Sequence, residues 1–333
     1  MKTFIAVKKG NTRDSFLTRE NIELLGSFGE IREAGDVLDE DSVALSITDS
    51  EVYLTCWGSP RLSKKILDAA PNLVLLAHLG GTVAPYVSDE LWKRGIKVIS
   101  GNEFLAESTA EGALAYILAA QRDIPRYSTD LKEKRLWKKA DAQNYSLIGK
   151  TVGVVSYGAV AKKFVRMLQP FRVRILVYDI IPLSEVEKVK YGIEQVPLDK
   201  LFSDSDIISV HTPLTQSTRR LIGRELFEKM KPGALFVNTA RGEVIDQGAL
   251  EEVLAAGKIR AVLDVFEKEP PPPECRLYSL PNVMMMPHMA GPTTDLRPKI
   301  AAALIRECHE FIDLSVPLRH EIKMQQAENM SEH

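Results

Sequence analysis

The sequence has few of the features that mark a secreted, metal-stabilised or membrane protein. It contains only three cysteines, Cys56, Cys275 and Cys308, and none of them forms a C-x-x-C pair of the kind that binds zinc. No apolar run approaches the roughly 18 residues of a membrane-spanning helix, and the N-terminal apolar stretch ends at Lys8. We therefore expect a cytoplasmic protein with no bound metal, no disulfide framework and no contact with a membrane.

A surplus of one charge is lacking as well. The chain has 43 basic and 45 acidic side chains and a formal net charge of −2. Nucleic acids and anionic membranes attract clustered surpluses of Lys and Arg, so neither is expected as a partner. With 333 residues and 45% hydrophobic content, the chain is long enough for two domains with a ligand-sized cleft between them.

Short aliphatic runs alternate with longer helical patterns, which is typical of βαβ units and parallel sheets. The runs are almost continuously apolar, as expected for strands covered by helices on both faces of a sheet. They form two series, so the sequence predicts an α/β protein with two doubly wound, Rossmann-like or flavodoxin-like domains. The predicted strands are Phe4–Val7, Val52–Thr55, Leu73–Ala77 and Lys97–Ile99 in the first series, and Val152–Val155, Ile175–Tyr178, Ile207–Val210, Ala234–Val237, Ala261–Leu263 and Val283–Met286 in the second.

The sequence also predicts a local conformation for three other segments. Apolar residues recur at helical spacing from Phe104 to Gln121, which predicts a long helix connecting the domains. Four consecutive prolines, Pro270–Pro273, predict an extended loop. The residues from Ile322 onwards are polar, and we expect them to be frayed.

The segment from Gly153 to Ala161 follows a predicted strand and opens a predicted helix, as a dinucleotide-binding turn does. Gly158 lies where the backbone must approach the pyrophosphate, and Asp179 ends the next strand, where a carboxylate accepts hydrogen bonds from the adenosine ribose. That carboxylate would repel a 2′-phosphate, so NAD is expected rather than NADP. The cofactor-binding residues predicted here are Ser156, Tyr157, Gly158, Ala159, Val160 and Asp179.

This turn departs from the G-x-G-x-x-G pattern, because Ser156 replaces the first glycine and Ala161 the third. Alanine is tolerated at the third position, but serine adds a Cβ at a tight turn. An ordinary strand–turn–helix with one glycine is therefore the alternative interpretation of this segment taken alone.

Polar residues follow three predicted strands further along the chain, at the carboxyl ends where open α/β sheets bind ligands. Arg241 can clamp a carboxylate and polarise a carbonyl oxygen, and His288 can give and take a proton. Glu269 can orient the imidazole. Each residue alone has an ordinary explanation as a surface or turn residue, but together they fit hydride transfer between nicotinamide and a 2-oxo or 2-hydroxy acid.

With these residues in this order, the chain resembles the D-isomer-specific 2-hydroxyacid dehydrogenase family, which includes phosphoglycerate, glycerate and D-lactate dehydrogenases. The resemblance extends over nearly the whole chain. It is densest in Leu147–Gly153, Val210–Thr215, Asn238–Asp246, Leu263–Pro270, Leu277–Val283 and Pro287–His288.

The resemblance implies a role for each matching residue. Arg241 would hold the substrate, His288 would be the acid and base, and Glu269 would pair with His288. The residues implied to lie along the cofactor are Thr109, His211, Thr212, Pro213, Thr239, Ala240 and Asp264. His211 has an alternative as a packed histidine at a strand end.

The resemblance also implies a substrate domain formed by residues 1–101 and 289–333, and an NAD-binding domain formed by residues 102–288 that associates into a homodimer. The segment Ala77–Val83 is similar to a loop of the family whose backbone amides hold the substrate carboxylate. Its predicted substrate-binding residues are His78, Leu79, Gly80 and Gly81, with Trp57 as a further candidate that is equally compatible with the core.

The substrate loop differs from that of members acting on phosphorylated acids, because His78 stands where those commonly have Arg and Ala84–Tyr86 replaces a stretch containing Asp-Asn. A small unphosphorylated acid is therefore expected. Two other functions remain open at this stage: a dinucleotide-sensing, corepressor-like binding protein without catalysis, and oxidation of formate or phosphite. A Glu beside the His departs from the formate pattern, which has Gln there.

Overall fold

The computed structural model describes residues 1–138 and 144–331, which form strands and helices in regular alternation. The strands are β1 (Lys2–Ala6), β2 (Glu30–Glu33), β3 (Val52–Thr55), β4 (Leu75–His78), β5 (Lys97–Ser100), β6 (Thr151–Val155), β7 (Arg174–Tyr178), β8 (Ile193–Gln195), β9 (Ile207–Val210), β10 (Leu235–Asn238), β11 (Arg260–Leu263) and β12 (Val283–Met285). The helices are α1 (Asn11–Phe16), α2 (Arg19–Ser27), α3 (Glu40–Ser46), α4 (Lys64–Ala69), α5 (Asp89–Lys93), α6 (Asn102–Arg122), α7 (Ile124–Lys134), α8 (Ala159–Leu168), α9 (Glu185–Tyr191), α10 (Leu198–Asp204), α11 (Arg224–Lys229), α12 (Gln247–Ala255), α13 (Arg297–Leu314) and α14 (Met324–Glu328).

The chain divides into two compact units. The first unit contains Met1–Leu105 and Pro292–His333, and the second contains Ala106–Gly291. The first unit has a five-stranded parallel sheet in the order β2-β1-β3-β4-β5. The second has a seven-stranded parallel sheet in the order β12-β11-β10-β9-β6-β7-β8. These two parallel sheets confirm the predicted fold class.

Both faces of each sheet are buried, which explains why the strands are apolar at successive positions. In the first unit Phe4 and Tyr53 belong to the cluster on one face, whereas Ile5 and Leu54 belong to the cluster on the other. In the second unit Val154 and Val155 divide in the same way. Side chains that alternate between two covered faces require hydrophobic residues throughout each strand.

Several helices begin at a capping side chain that accepts an amide of the first turn. Thr18, Asp39, Ser63 and Ser88 cap α2, α3, α4 and α5 in this way. Helix α8, which follows the predicted nucleotide-binding turn, differs from these helices. Gly158 precedes it, and no side chain caps its first turn. No capping side chain therefore accepts the amides of its first turn.

Two short strands were missed by the sequence analysis, because neither has an apolar run. Strand β2 has the sequence Glu-Ile-Arg-Glu and β8 has the sequence Ile-Glu-Gln. Each lies at the edge of its sheet, where polar side chains reach solvent and protect the unpaired edge.

The prediction of a frayed C-terminus was wrong. The segment after Ile322 contains α14, and Ile322, Ala327 and Ser331 are buried. Lys323, Gln325 and Glu328 are exposed, whereas Ile322 and Ala327 belong to the hydrophobic core of the first unit.

Candidate active site

The turn after β6 carries the first group of predicted cofactor residues. Ser156 has a positive φ of 71°, which is the left-handed region where the first glycine of the usual pattern would lie. Its amide donates to Tyr178 O over 2.8 Å, and its hydroxyl lies 2.9 Å from Thr212 Oγ1. The serine therefore links two loops of the site while holding a conformation that favours glycine.

Asp179 lies at the end of β7 and organises the same turn. Its Oδ2 accepts the amide of Tyr157 over 2.7 Å, and its Oδ1 accepts the amide of Ile181 over 2.8 Å. The carboxylate is only partly buried. Each oxygen thus retains acceptor capacity for a ribose hydroxyl, as a carboxylate oxygen accepts more than one hydrogen bond.

The residues around this turn fit a dinucleotide. A Cβ built on Gly158 has no heavy atom within 4 Å, and Gly158 and Ala159 are exposed, with Val160 partly exposed behind them. The uncapped start of α8 offers amides to an anion. The buried hydroxyls of Thr239 and Tyr157 have no hydrogen-bond partner among the described residues. Burial, with Glu187 and Tyr191 nearby, raises the pKa of Tyr157 to about 12, so this phenol remains a neutral donor.

The loop after β9 holds His211, Thr212 and Pro213. The His211 ring packs against Phe164 at a centroid distance of 5.1 Å, and its Nε2 lies 3.0 Å from Ser209 Oγ. Burial lowers the pKa of His211 to about 3. The imidazole is therefore neutral and packed, as the alternative interpretation of this residue expected. Thr212 Oγ1 also lies 3.3 Å from Val155 O, and Pro213 O accepts the hydroxyl of Thr218 over 2.6 Å.

Arg241 is presented by a turn after β10 that Asn238 organises. Asn238 is fully buried, accepts the amide of Ala240 over 3.0 Å and donates to Arg241 O over 3.0 Å. The sequence analysis gave Asn238 no role, although an amide side chain directly after a buried strand is the signal for such a turn. Burial lowers the pKa of the Arg241 guanidinium, and the charge of Glu269 opposes that shift.

Glu269 and His288 form a hydrogen-bonded pair. His288 Nδ1 lies 2.7 Å from Glu269 Oε2, while Glu269 Oε1 accepts the amide of Phe266 over 3.0 Å. Half of the His288 side-chain surface is exposed. The carboxylate therefore holds one imidazole nitrogen and leaves Nε2 directed away from it.

Close backbone contact brings the loops of Arg241 and Glu269 together. A Cβ on Gly242 would lie 1.9 Å from the carbonyl carbon of Phe266, so only glycine allows these loops to touch. The second unit thus unites a guanidinium, a carboxylate and an imidazole that come from three separate strand ends. This arrangement can bind an anionic group, polarise a carbonyl and transfer a proton.

Asp264 holds the turn that follows His288. Its side chain, predicted to lie along the cofactor, is fully buried. Its oxygens accept the amides of Met289 over 2.7 Å and Ala290 over 2.9 Å, and Tyr116 Oη lies 3.4 Å from it. Burial raises the pKa of the Asp264 carboxyl, against the lowering effect of those amides.

Helix α6 supports the same turn from the other side. Ser108 Oγ donates to Gly291 O over 3.0 Å, and a Cβ on Gly112 would lie 2.8 Å from Ala290 Cα. Thr109, predicted to line the nicotinamide pocket, is partly exposed on this helix. The small residues of α6 therefore allow the His288 turn to approach closely.

In the first unit, the predicted substrate-binding residue His78 lies beneath the glycine loop. It ends β4, is fully buried, and its Nδ1 lies 3.0 Å from Thr55 Oγ1. Its ring stacks on Tyr86 at 4.4 Å, and burial lowers the pKa of His78 to about 3. Leu79 is also fully buried, and its amide donates to Thr55 O. Both residues support the loop from below instead of exposing a side chain to a ligand.

Gly80 of this loop lies over His78. A Cβ on Gly80 would lie 2.5 Å from His78 Nε2 and 3.0 Å from Trp57 Nε1, so the position accepts only glycine. Trp57 packs edge-on against Phe16 and keeps 39% of its surface exposed. No acceptor for the amides of Gly80, Gly81 and Thr82 occurs among the described residues, whereas the amides of Leu79 and Val83 are both bonded.

The described ranges contain neither a metal-type side-chain cluster nor a membrane-spanning helix. No group of three or more His, Cys, Asp or Glu side chains in residues 1–138 and 144–331 has the arrangement of a metal site. Within the same residues, no helix has both the length and the apolar character needed to cross a membrane.

Known proteins resemble this chain over most of its length. Residues 114–290 match the family model of the D-isomer specific 2-hydroxyacid dehydrogenase NAD binding domain. A hydroxypyruvate reductase of Thermotoga maritima is 35% identical over 294 residues, which cover 87% of this chain and 94% of that protein. A glyoxylate reductase of Korarchaeum cryptofilum is 38% identical over 275 residues, covering 81% of this chain and 82% of that protein.

A solved structure shares the fold. The crystal structure of a phosphoglycerate oxidoreductase from Rhizobium etli superposes with a TM-score of 0.80 at 26% sequence identity, covering 97% of this chain and 98% of that one. These similarities confirm the family resemblance and a nicotinamide cofactor. They give no support to the alternative of a non-catalytic sensor.

Proposed function

Since the chain belongs to the D-isomer-specific 2-hydroxyacid dehydrogenase family and is an NAD-dependent hydroxyacid oxidoreductase, we propose that it reduces a small, unphosphorylated 2-oxo acid. Glyoxylate and hydroxypyruvate are the first candidates, because relatives with these reductase names match most of the chain. NADH supplies the hydride when bound. The residues of this chain then bind the acid, polarise its carbonyl and provide a proton.

The observation that carries this proposal is the pair formed by Glu269 and His288. The 2.7 Å contact at Nδ1 orients the ring, so that Nε2 is the nitrogen that gives a proton to the alkoxide oxygen in the reduction. Arg241 binds the anionic acid and stabilises negative charge on the carbonyl oxygen. Asp264 and Asn238 act as positioning residues, because their buried side chains hold the turns that carry His288 and Arg241.

The glycine loop of the first unit is proposed to bind the substrate carboxylate. None of the described residues accepts its amides at Gly80, Gly81 and Thr82. Successive backbone amides of this kind can bind an anion. No basic side chain occurs from Leu79 to Pro85. A phosphate would need such a cation, so the loop suits a carboxylate on a small acid.

The test is a substrate panel. We expect NADH oxidation with glyoxylate or hydroxypyruvate and at least a hundredfold lower kcat/KM with phosphohydroxypyruvate, which corresponds to about 2.7 kcal/mol. Equal rates with the phosphorylated acid would contradict the substrate class. Absence of turnover with every acid, while NADH binding is measured by fluorescence, would contradict the reductase proposal itself.

The preference for NADH over NADPH is proposed to depend on Asp179. Its carboxylate lies at the end of β7, where the ribose is proposed to bind, and Ile180, Ile181 and Pro182 follow it where a cation would be needed for a 2′-phosphate. In Asp179→Ser we expect the NADH/NADPH ratio of kcat/KM to fall about tenfold or more. An unchanged ratio in this variant would contradict the assignment.

A homodimer is proposed from the surface around α7. This helix has no buried residue over its length, and apolar side chains on it and after it are exposed. Large apolar side chains left exposed on one stretch of chain favour an interface, and a second copy of this chain is the proposed partner. The exposed residues are Ile124, Leu131, Leu136, Trp137, Tyr145 and Ile148.

Sedimentation of the native protein and of Leu131→Glu tests the dimer. We expect a dimer that dissociates in the variant, whereas the matched substitution Leu45→Glu, at an exposed leucine of the first unit, leaves it intact. A monomeric native protein would refute the proposal.

The cytoplasm is proposed as the location, because the enzyme depends on reduced nicotinamide and its cysteines are unpaired. Cell fractionation with an antibody to the protein tests this, and enrichment outside the cytoplasmic fraction would contradict it.

A further inference from the structure

The C-terminal segment from His320 to Ser331 ends on the glycine loop of the first unit. It reaches that place through three successive sets of contacts, at Glu307, along β5 and at residues 82 and 83. The sequence predicts no function for this segment, and its part from Ile322 onwards was expected to be frayed.

The first contact is a buried carboxylate on α13. Glu307 is 2% exposed, and its Oε1 accepts the amides of Arg319 over 2.6 Å and His320 over 2.8 Å. Its Oε2 lies 2.5 Å from His320 Nδ1. A buried carboxylate with several donors is costly to disturb, so the start of the segment has a defined position and direction.

The second contact is with the edge of the sheet. The segment runs antiparallel to β5, with a bridge between Ile99 and Glu321 and a 2.8 Å hydrogen bond from the amide of Ile322 to Val98 O. Ile322 and Ala327 then enter the same hydrophobic cluster as Val83. The segment therefore covers an otherwise open sheet edge and shares a core with the loop.

The third contact is with the loop itself. Thr82 Oγ1 donates to Ser331 O over 2.8 Å, and the Val83 amide donates to Met330 Sδ over 3.5 Å. These bonds hold the outer end of the loop, while His78 lies beneath its inner end at Gly80. Between the two ends lie the amides of Gly80, Gly81 and Thr82.

We propose that the C-terminal segment is a positioning element for substrate binding, which keeps the three loop amides converged on the carboxylate of the acid. The inference rests on the proposed function of the loop. The Thr82 hydroxyl and the Val83 amide both donate to the segment. These bonds fix the conformation of the loop before the acid binds. Pre-shaping lowers the cost of binding without contributing to the proton transfer.

The experiment compares KM with kcat in full-length variants. Thr82→Val and Met330→Ala each remove one contact, and we expect the double variant to raise KM for the preferred 2-oxo acid about tenfold. The kcat and the Kd for NADH should stay within about twofold, because the proton donor and nucleotide turn are unchanged. Met324→Ala is the control, since Met324 lies on the exposed side of the same segment.

A second measurement distinguishes failure of the positioning inference from failure of the proposed function. Hydrogen exchange of peptides containing Gly80–Thr82 should be faster in the double variant than in native protein and the Met324→Ala control. An active double variant with unchanged KM and unchanged exchange would overturn the inference while leaving the proposed function intact. A native protein that reduces no 2-oxo acid would overturn the proposed function, and unchanged exchange would then also overturn the positioning role.

If the double variant fails to fold, Thr82→Val alone provides the test, because Thr82 is only partly buried. We expect a KM increase of roughly threefold from the loss of one hydrogen bond. An unchanged KM in that folded single variant would overturn the inference.

Discussion

The two units offer ligands different chemistry at the same kind of place, the carboxyl end of a parallel sheet. The second unit presents ionisable side chains, Arg241, Glu269 and His288, on loops that follow β10, β11 and β12. The first unit presents backbone amides at Gly80–Thr82, directly after β4. The groups of the second unit depend on residue type, whereas those of the first unit depend on the conformation of the backbone.

This difference determines how each set is held. The ionisable side chains depend on buried polar groups, because Asn238 and Asp264 each bond backbone amides of the neighbouring turns. The amide set depends on packing, because His78 lies below Gly80 and the C-terminal segment bonds the outer end of the loop. The comparison predicts that substitutions in the second unit alter turnover, whereas those in the first alter loop shape and substrate affinity.

The largest effect is expected from His288→Ala. The substitution removes the proposed proton donor, and we expect kcat to fall by about 10²- to 10⁴-fold. NADH binding should be retained, because His288 is half exposed and lies outside the nucleotide turn. Stopped-flow turnover and fluorescence titration with NADH measure the two quantities. Native turnover in this variant would contradict the role of the imidazole.

A smaller effect is expected from Glu269→Gln. The amide oxygen can still accept from Phe266, but the charge that faces His288 Nδ1 and Arg241 is lost. We expect kcat to fall roughly 10- to 100-fold with little change in thermal stability. The matched control is Glu267→Gln on the same loop, which pairs with Arg220 on the surface. A decrease in kcat of equal size in both variants would refute a specific role for Glu269.

Gly80→Ala and Gly158→Ala compare the two units directly. A Cβ on Gly80 collides with His78, so we expect about 1–3 kcal/mol lower free energy of unfolding. A Cβ on Gly158 has open space around it, so the protein should be equally stable but bind NADH more weakly. Chemical denaturation and NADH titration measure both variants.

The clash at Gly80 has its own control. In a His78→Ala background, Gly80→Ala should cost less stability than it does alone, since the colliding ring is gone. Equal costs in the two backgrounds would show that His78 does not restrict this position.

The smallest effect is expected at Ser156. Its positive φ favours glycine, but its hydroxyl bonds Thr212, so Ser156→Gly should change stability by less than about 1 kcal/mol. Ser156→Ala keeps the strained φ and loses the hydroxyl, and it should be about 1 kcal/mol less stable than the glycine variant. Thermal unfolding ranks the three proteins, and an alanine variant more stable than the glycine variant would disprove this account of the turn.

The sequence was most informative where a side chain or an apolar run carries the signal. The two series of aliphatic runs predicted ten strands, and each corresponds to a strand of the structure within about two residues. The edge strands β2 and β8 were not predictable, because their residues are polar and their pairing depends on neighbours distant in the chain. Helix α7 was missed because its residues enter no core.

Sequence alone determined the α/β fold class, the family and the residue types available for hydride-transfer chemistry, since hydrophobic periodicity and functional side chains are local properties of the chain. Only the tertiary structure decided which atoms those residues offer. In the folded protein His78 is buried beneath a loop, and Asp264 accepts two backbone amides. The C-terminal segment contacts Thr82 and Val83. Burial and hydrogen-bond partners come from residues far apart in sequence, and only folding places them side by side.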